Sequence, residues 1–333
     1  MTAPSRTAQT VLLTDRAWPD DRVERDVLER AGFRLVAGPA EPAPAAIVDA
    51  LAAQHRPAAI LTCWATVSSR AIAAAPTLRV VARMGVGLDN IDVAAATDRG
   101  VLVTNVPDYC IQEVSDHAIG LVLAHTRGLT AADREVRAGR WNPAGARPRR
   151  LSALTCGVVG FGRIGRATVA KLQALGVHVV ITTAHHPGDT GGAPVLPLAE
   201  LLATSDVVIL HAPLTPQTHH LIGEQELALM PAGSFLVNVS RGGLVDTTAL
   251  IDSLRAGHLA GAGLDVLESE PSVPADLLAH PGVIVTPHIA FSSDASVIDL
   301  RRSAAEEVVR VLRGEPARYP CNRPSTATTG AFA

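Results

Sequence analysis

Aromatic residues make up only 3% of this 333-residue chain, so large rings cannot build its core. With 47% hydrophobic residues, the filling must come from Ala, Val and Leu. Cysteine is also scarce. Cys63, Cys110, Cys156 and Cys321 stand far apart with no C-x-x-C pair, which argues against a disulfide frame or a thiolate zinc site and fits reduced thiols in a cytoplasmic protein. No metal-ligating set is expected. No apolar run reaches the roughly 18 residues that a membrane span needs, so no membrane partner is expected. MTAPSRTAQT, at the start, has one arginine and no apolar stretch, so it does not read as a signal peptide. The formal net charge of −3 gives no reason to expect nucleic acid. The length suits two domains.

What the chain does have is short apolar runs punctuated by glycine, and one stretch organises the rest. In LTCGVVGFGRIGRATVAKLQALGVHVVITTAHH, from Leu154 to His186, Val158 and Val159 lead into Gly160, Gly162 and Gly165 in the order G-x-G-x-x-G. Arg166 to Leu175 follows at helical spacing, Gly176 offers a left-handed cap, and Val177 to Ile181 is a β-branched run. Glycines in an ordinary loop mean little, but the same triplet between a strand and a helix of a βαβ unit is a dinucleotide fingerprint. Glycine lets the backbone approach a pyrophosphate while the N–H groups and positive end of the helix face its charge.

The flanking chain alternates strands and helices. Strands are predicted at Val11–Asp15, Ala58–Thr62, Leu78–Arg83 and Val101–Asn105, with helices at Asp20–Ala31 and from about Pro44 to Ala53. PDYCIQEVSDHAIGLVLAHTRG reads as one long helix capped by Asp108, with Asp116 and His117 as buried polar groups. Arg127 to Arg150 is rich in Arg, Gly and Pro around Trp141, and reads as an arm that packs on another subunit or as a solvated face. Beyond the fingerprint, helices are expected at Leu198–Ala203, Gly223–Leu229 and Asp246–Ala256. Strands are expected at Asp206–Leu210, Ser234–Val239, Ala260–Val266 and Val283–Thr286. Alternation of this kind means α/β, with parallel sheets covered by helices on both faces.

In open α/β sheets ligands collect beyond the carboxyl ends of the strands, so the residues just after each strand deserve inspection. They include Arg241, Glu270 and His288. An arginine matches a planar carboxylate or α-keto acid with a fixed, always-charged fork. A histidine can hand over one proton near neutral pH, and a glutamate beside it would hold the ring and favour its protonated form. With a nicotinamide, these groups suffice for hydride transfer to a 2-keto acid.

VVGFGRIG, HAPLTPQTHHLI, FLVNVSRGGLVD, GLDVLESEP and VTPHIA, in that order, resemble the blocks of the D-isomer-specific 2-hydroxyacid dehydrogenases, and the likeness covers nearly the whole chain. The resemblance implies two Rossmann-like doubly wound domains, a cofactor domain over residues 108–291 inserted into a discontinuous substrate domain of residues 1–107 and 292–333. It implies catalytic roles for Arg241, Glu270 and His288, with His288 as acid/base. It places Arg163 and Ile164 on the pyrophosphate, Ala212, Pro213 and Thr218 on the adenosine side, and Val239, Ser240 and Arg241 at the nicotinamide ribose, with Asp265 holding the carboxamide. VPDYCIQEVSDHA, the GLDNID turn and PHIAFSSDAS look most like the branch of the C-terminal-binding proteins and phosphoglycerate-dehydrogenase-like enzymes. By that likeness Arg83, Val86 and Gly87 contact the substrate carboxylate, and the arm around 127–150 builds a homodimer. With Arg241 and Arg83 both near the substrate, a dianionic 2-oxo acid is expected to do better than a monoanion.

One departure concerns the cofactor. NAD-preferring members carry an acidic residue 18 positions after the third glycine, where this chain has Thr183. No carboxylate repels a 2′-phosphate there and no adjacent arginine binds one, so NAD(H) and NADP(H) both stay open. Two functions are carried forward: an oxidoreductase interconverting a small 2-keto acid and its D-2-hydroxy acid, and a dinucleotide-sensing interaction protein like the C-terminal-binding proteins. The intact trio and the lack of long low-complexity tails favour the first.

Overall fold

The structure, a computed structural model, describes residues 8–145, 147–185 and 188–324. His186, at the end of the fingerprint stretch, lies outside them. The chain forms two compact units, Met1–Tyr109 with Ser293–Ala333, and Cys110–Ser292.

In the first unit five parallel strands, β1 (Thr10–Leu13), β2 (Arg34–Ala37), β3 (Ala59–Thr62), β4 (Val80–Arg83) and β5 (Leu102–Thr104), lie in the order β2-β1-β3-β4-β5. Successive side chains of a strand point to opposite faces, and here both faces are buried. Val11, Leu13, Leu61 and Val80 pack on one side with Leu28, Leu300, Ala304 and Val308. Leu12, Ile60 and Val81 pack on the other with Val48, Ala52, Ile72 and Ala96. The last helix, Asp294–Leu312, belongs to this sheet because its buried residues recur every three or four positions. It starts at Ser293, whose hydroxyl accepts the Ser296 N–H at 2.9 Å. Arg301 on that helix meets the fully buried Glu24 on helix Arg22–Arg30 through two hydrogen bonds, of 2.9 and 2.8 Å. Breaking a buried pair from one side costs about 3–5 kcal/mol, so this contact holds the returning C-terminal segment to the start of the chain.

The second unit holds six parallel strands, β6 (Thr155–Val159), β7 (His178–Thr182), β8 (Val207–Leu210), β9 (Ser234–Asn238), β10 (Leu259–Leu264) and β11 (Val283–Val285), in the order β11-β10-β9-β8-β6-β7. Strand order reverses at β6, which lies between β7 and β8. A reversal of this kind opens a crevice at the strands' carboxyl ends. Leu201, Leu202, Val208, Leu236, Leu250 and Leu254 fill one face of this sheet, so Leu and Val take the place that rings occupy elsewhere.

Several local expectations are corrected. The strand β2 and the helices Ser69–Ala74, Val93–Asp98, Leu129–Arg137 and Ala275–Ala279 were not legible in the sequence. β2 and the helices Ser69–Ala74, Val93–Asp98 and Ala275–Ala279 are too short to show a period and are held by the elements they pack on, whereas Leu129–Arg137 buries no residue. The long helix runs from Ile111 to Thr126 with Cys110 at its N-cap. Asp108 does not cap it; its carboxylate accepts the Tyr319 hydroxyl at 2.6 Å. Asp116 is exposed and meets Lys171 at 2.6 Å rather than being buried. The fingerprint helix begins at Arg163, three residues before the expected Arg166, because Gly162 is already its N-cap.

Candidate active site

The glycine turn is built by close approach. Gly160 has φ +100°, and a Cβ there would lie 2.6 Å from the Ala212 nitrogen and from the His211 carbonyl carbon. Only glycine fits. A Cβ on Gly165 would run into the Gly160 carbonyl, so the third glycine lets the helix Arg163–Ala174 close on the turn. Gly162 differs: among the described residues nothing lies within 4 Å of a Cβ built there and no side chain caps the helix that follows. The first-turn N–H groups of Arg163 and Ile164 therefore face an uncluttered helix N-terminus with no acidic residue in its first turn. That cradle fits a dinucleotide pyrophosphate.

His211 secures the turn from the β8 side. Its Nε2 meets the Thr168 hydroxyl at 2.9 Å, and that hydroxyl donates to the Ile164 carbonyl at 3.1 Å. Nε2 must therefore carry the hydrogen, which leaves the buried Nδ1 as an acceptor without a donor among the described residues. Burial pushes the imidazole down to about 4.

The other cofactor residues lie where the strands end. Thr183 follows β7, and its hydroxyl accepts the His185 N–H at 3.4 Å. Ala212 and Pro213 follow β8, and the Thr218 hydroxyl donates to the Pro213 carbonyl at 2.7 Å, which closes that loop. After β9, Val239 is buried and the Ser240 hydroxyl donates to the Leu210 carbonyl at 3.1 Å. Asn238, which sequence reasoning missed, holds the arginine loop. Its side chain accepts the Ser240 N–H at 3.1 Å and donates to the Arg241 carbonyl at 2.9 Å. A buried asparagine closing a strand is a signal for such a role only once its two partners are known.

Arg241, Glu270 and His288 come together on neighbouring loops. A Cβ on Gly242 would run into the Leu267 carbonyl, so the Arg241 loop packs against the loop that carries Glu270. Glu270 accepts the Leu267 N–H at 3.0 Å through one oxygen and meets His288 Nδ1 at 2.8 Å through the other. Burial raises the Glu270 carboxyl, but the hydrogen bond and charge of His288, the Leu267 N–H and the Arg241 guanidinium outweigh it and hold the group below its ordinary value. It is a carboxylate at neutral pH, and it fixes the His288 ring.

His288 adopts φ +54°, a left-handed conformation rare outside glycine. Asp265 is what holds it there. The Asp265 carbonyl accepts the His288 N–H at 2.8 Å, and its carboxylate accepts the Thr286 hydroxyl at 2.6 Å and the Ile289 and Ala290 N–H groups at 2.9 Å. The side chain is 1% exposed. Where the family likeness has Asp265 hold a carboxamide, its carboxylate here organises the loop that presents the histidine. His117 joins the same network, with Nε2 2.9 Å from the Thr286 hydroxyl.

In the first unit Arg83 ends β4 and is 6% exposed. Its Nε donates to Asn90 at 3.0 Å, its Nη1 donates to the Met84 carbonyl, and the guanidinium lies over Trp64, 5.6 Å from the ring centre. Asn90, also missed in the sequence, is the residue that orients it. Val86 is exposed and Gly87 half-buried on the loop that follows.

The switch-point sheet with its glycine cradle defines a dinucleotide-binding α/β protein, and the Arg–Glu–His trio lies at the carboxyl ends of that sheet's strands. Residues 119–290 match the family model for the NAD binding domain of D-isomer specific 2-hydroxyacid dehydrogenases. The chain belongs to the D-isomer-specific 2-hydroxyacid dehydrogenase family. It is 41% identical over 253 residues to a D-3-phosphoglycerate dehydrogenase of Mycobacterium leprae, covering 75% of this chain and 48% of that one. It thus spans about half the length of the curated relatives of that kind. It is 41% identical over 250 residues to a glyoxylate reductase of Korarchaeum cryptofilum, covering 73% of this chain and 75% of that one. Among solved structures, an NADPH-dependent glyoxylate/hydroxypyruvate reductase of Sinorhizobium meliloti, in complex with NADP and malonate, matches with a TM-score of 0.82 and 34% identity. That match covers 94% of this chain and 96% of the other. No helix among the described residues is long and apolar enough to cross a membrane.

Proposed function

We propose that this protein is an NAD(P)-dependent oxidoreductase that interconverts a small 2-keto acid and its D-2-hydroxy acid. The bound nicotinamide supplies or takes up the hydride; the chain supplies position, charge and one proton. Arg241 receives the keto acid's carboxylate and carbonyl oxygens with its planar fork. In the reducing direction His288 gives the carbonyl oxygen a proton from Nε2, and in the reverse direction it takes that proton back. Glu270 holds the ring through Nδ1. The observation that carries the reading is the 2.8 Å contact between His288 and an ionised Glu270 on the loop against which the Arg241 loop packs.

The expected preference for dianionic acids leans on Arg83. Its guanidinium meets Asn90, Met84 and Trp64 within its own unit, and setting dianionic beside monoanionic acids in the assay below tests that preference. Homodimer formation is part of the proposal, supported by Leu129, Val136 and Trp141, which are 56%, 49% and 84% exposed on the 127–150 arm. The test is to mix pure protein with NADH or NADPH and glyoxylate, hydroxypyruvate, its phosphate ester, pyruvate or oxaloacetate, and to follow loss of reduced nicotinamide absorbance. Turnover of at least one acid to the D product is expected. Dinucleotide binding with no turnover of any of them would overturn the reading.

A further inference from the structure

Away from the trio, three side chains in the second unit gather on one small patch. His219 and His220 follow β8, and Glu268 lies two residues before Glu270. One ligand atom from each falls within 4.8 Å of the other two. Adjacent residues in extended chain point to opposite sides, so two neighbouring histidines do not ordinarily share a target. Here His220 takes φ +52° and its ring stacks on that of His219, with centroids 4.0 Å apart. The turn brings both imidazoles to the same carboxylate.

We propose that His219, His220 and Glu268 form a site for a divalent transition-metal ion of the zinc class. Two imidazoles and a carboxylate are the donor set that such ions take, and three protein ligands leave the fourth tetrahedral position for water or an exogenous ligand. Metal–ligand bonds of about 2.0–2.2 Å put tetrahedral ligand atoms roughly 3.3 Å apart. For an ion to bind, the 2.6 Å contact between His220 Nε2 and Glu268 Oε1 must open and the stacked rings of His219 and His220 must turn apart, since a metal lies in the plane of each imidazole it binds.

The partners behind the ligands support the assignment. A ligating histidine usually has its other ring nitrogen directed at a carboxylate, which fixes the ring. His220 Nδ1 lies 3.8 Å from Asp246 Oδ2, longer than a hydrogen bond, so the ring must shift toward that carboxylate to be fixed by it. The second oxygen of Glu268 accepts the Thr247 hydroxyl at 2.7 Å and the Thr247 N–H at 3.2 Å, which leaves Oε1 for the ion. The His220 N–H donates to the Gly243 carbonyl at 2.8 Å, so the patch is anchored to the loop that carries Arg241. An ion there would join the 218–222 loop to the 266–270 loop from outside the reacting groups. The sequence shows no spacing of a familiar metal motif, because Glu268 lies 48 residues from His220 and only the left-handed turn aligns the two rings.

The experiment uses untagged full-length protein stripped with a chelator and titrated with Zn²⁺ by calorimetry, then with Co²⁺ followed by its d–d absorption. One tight equivalent is expected, with the Co²⁺ band of tetrahedral coordination. His219→Ala removes an exposed side chain and is expected to abolish both signals while the circular dichroism stays unchanged. Asp246→Asn keeps the cap of the helix that follows and is expected to weaken the site about 10–100-fold. Weak uptake by the wild type without defined stoichiometry would overturn the proposal, as would a tight equivalent that survives in His219→Ala.

Discussion

Protonating His211 should cost this protein a calculable part of its stability. Among the described residues no acceptor meets Nδ1 of the imidazole, and burial holds it at about 4 against an ordinary value of 6.5. Between those two values the unfolded chain binds a proton that the folded chain refuses, so stability is full above 6.5 and falls as the pH drops toward 4. At about 1.36 kcal/mol per unit, the whole difference is roughly 3 kcal/mol. Between pH 7 and pH 5 the linkage relation gives about 2 kcal/mol of it. The comparison is wild type against His211→Gln, whose amide can still donate to Thr168 but does not titrate. His125, also pushed to about 4 by burial and by the charge of Arg149, acts in both proteins and cancels. Urea denaturation at the two pH values should show the wild type losing about 2 kcal/mol more than the variant, and the His211 ring resonances should titrate near 4. Equal losses in the two proteins, or titration near the ordinary value, would refute the reasoning.

Three other outcomes are expected. His288→Ala and Arg241→Ala should each lower kcat by about 10²–10⁴ while dinucleotide binding, followed by fluorescence, survives; a variant that kept near-wild-type kcat would not have the role given to it. Thr183→Asp should raise kcat/KM with NADH relative to NADPH, since a carboxylate accepts the ribose hydroxyls and repels a 2′-phosphate; an unchanged ratio would show that this turn does not set the preference. Trp141→Ser should shift the mass seen by light scattering from dimer to monomer, and an unaltered dimer would remove the arm from the interface.

The parts of this protein legible in its sequence are those whose physics is local. A β-branched run, three glycines and an amphipathic helix form one contiguous unit, so the cradle at Gly160 to Gly165 can be read from 33 residues. The alternation of strands and helices likewise announces parallel sheets, and Arg241, Glu270 and His288 stand out because each follows a strand. Short elements such as Arg34–Ala37 carry too few residues to show a period and exist only because a neighbouring strand pairs with them.

Tertiary structure alone decides which groups do a job for another. Asp265 stands out by the family likeness, but its hold on the histidine loop appears only when four hydrogen bonds from residues 286–290 converge on it. Asn238 is likewise hidden until its side chain bridges Ser240 and Arg241. The orphaned nitrogen of His211 and the pairing of His220 with Glu268 depend on contacts 43 and 48 residues apart. The sequence by itself determines the fold class and singles out the residues proposed to react, because short-range pattern and residue chemistry are written in neighbouring positions. Orientation, protonation and desolvation are decided only when packing brings distant residues within hydrogen-bond reach.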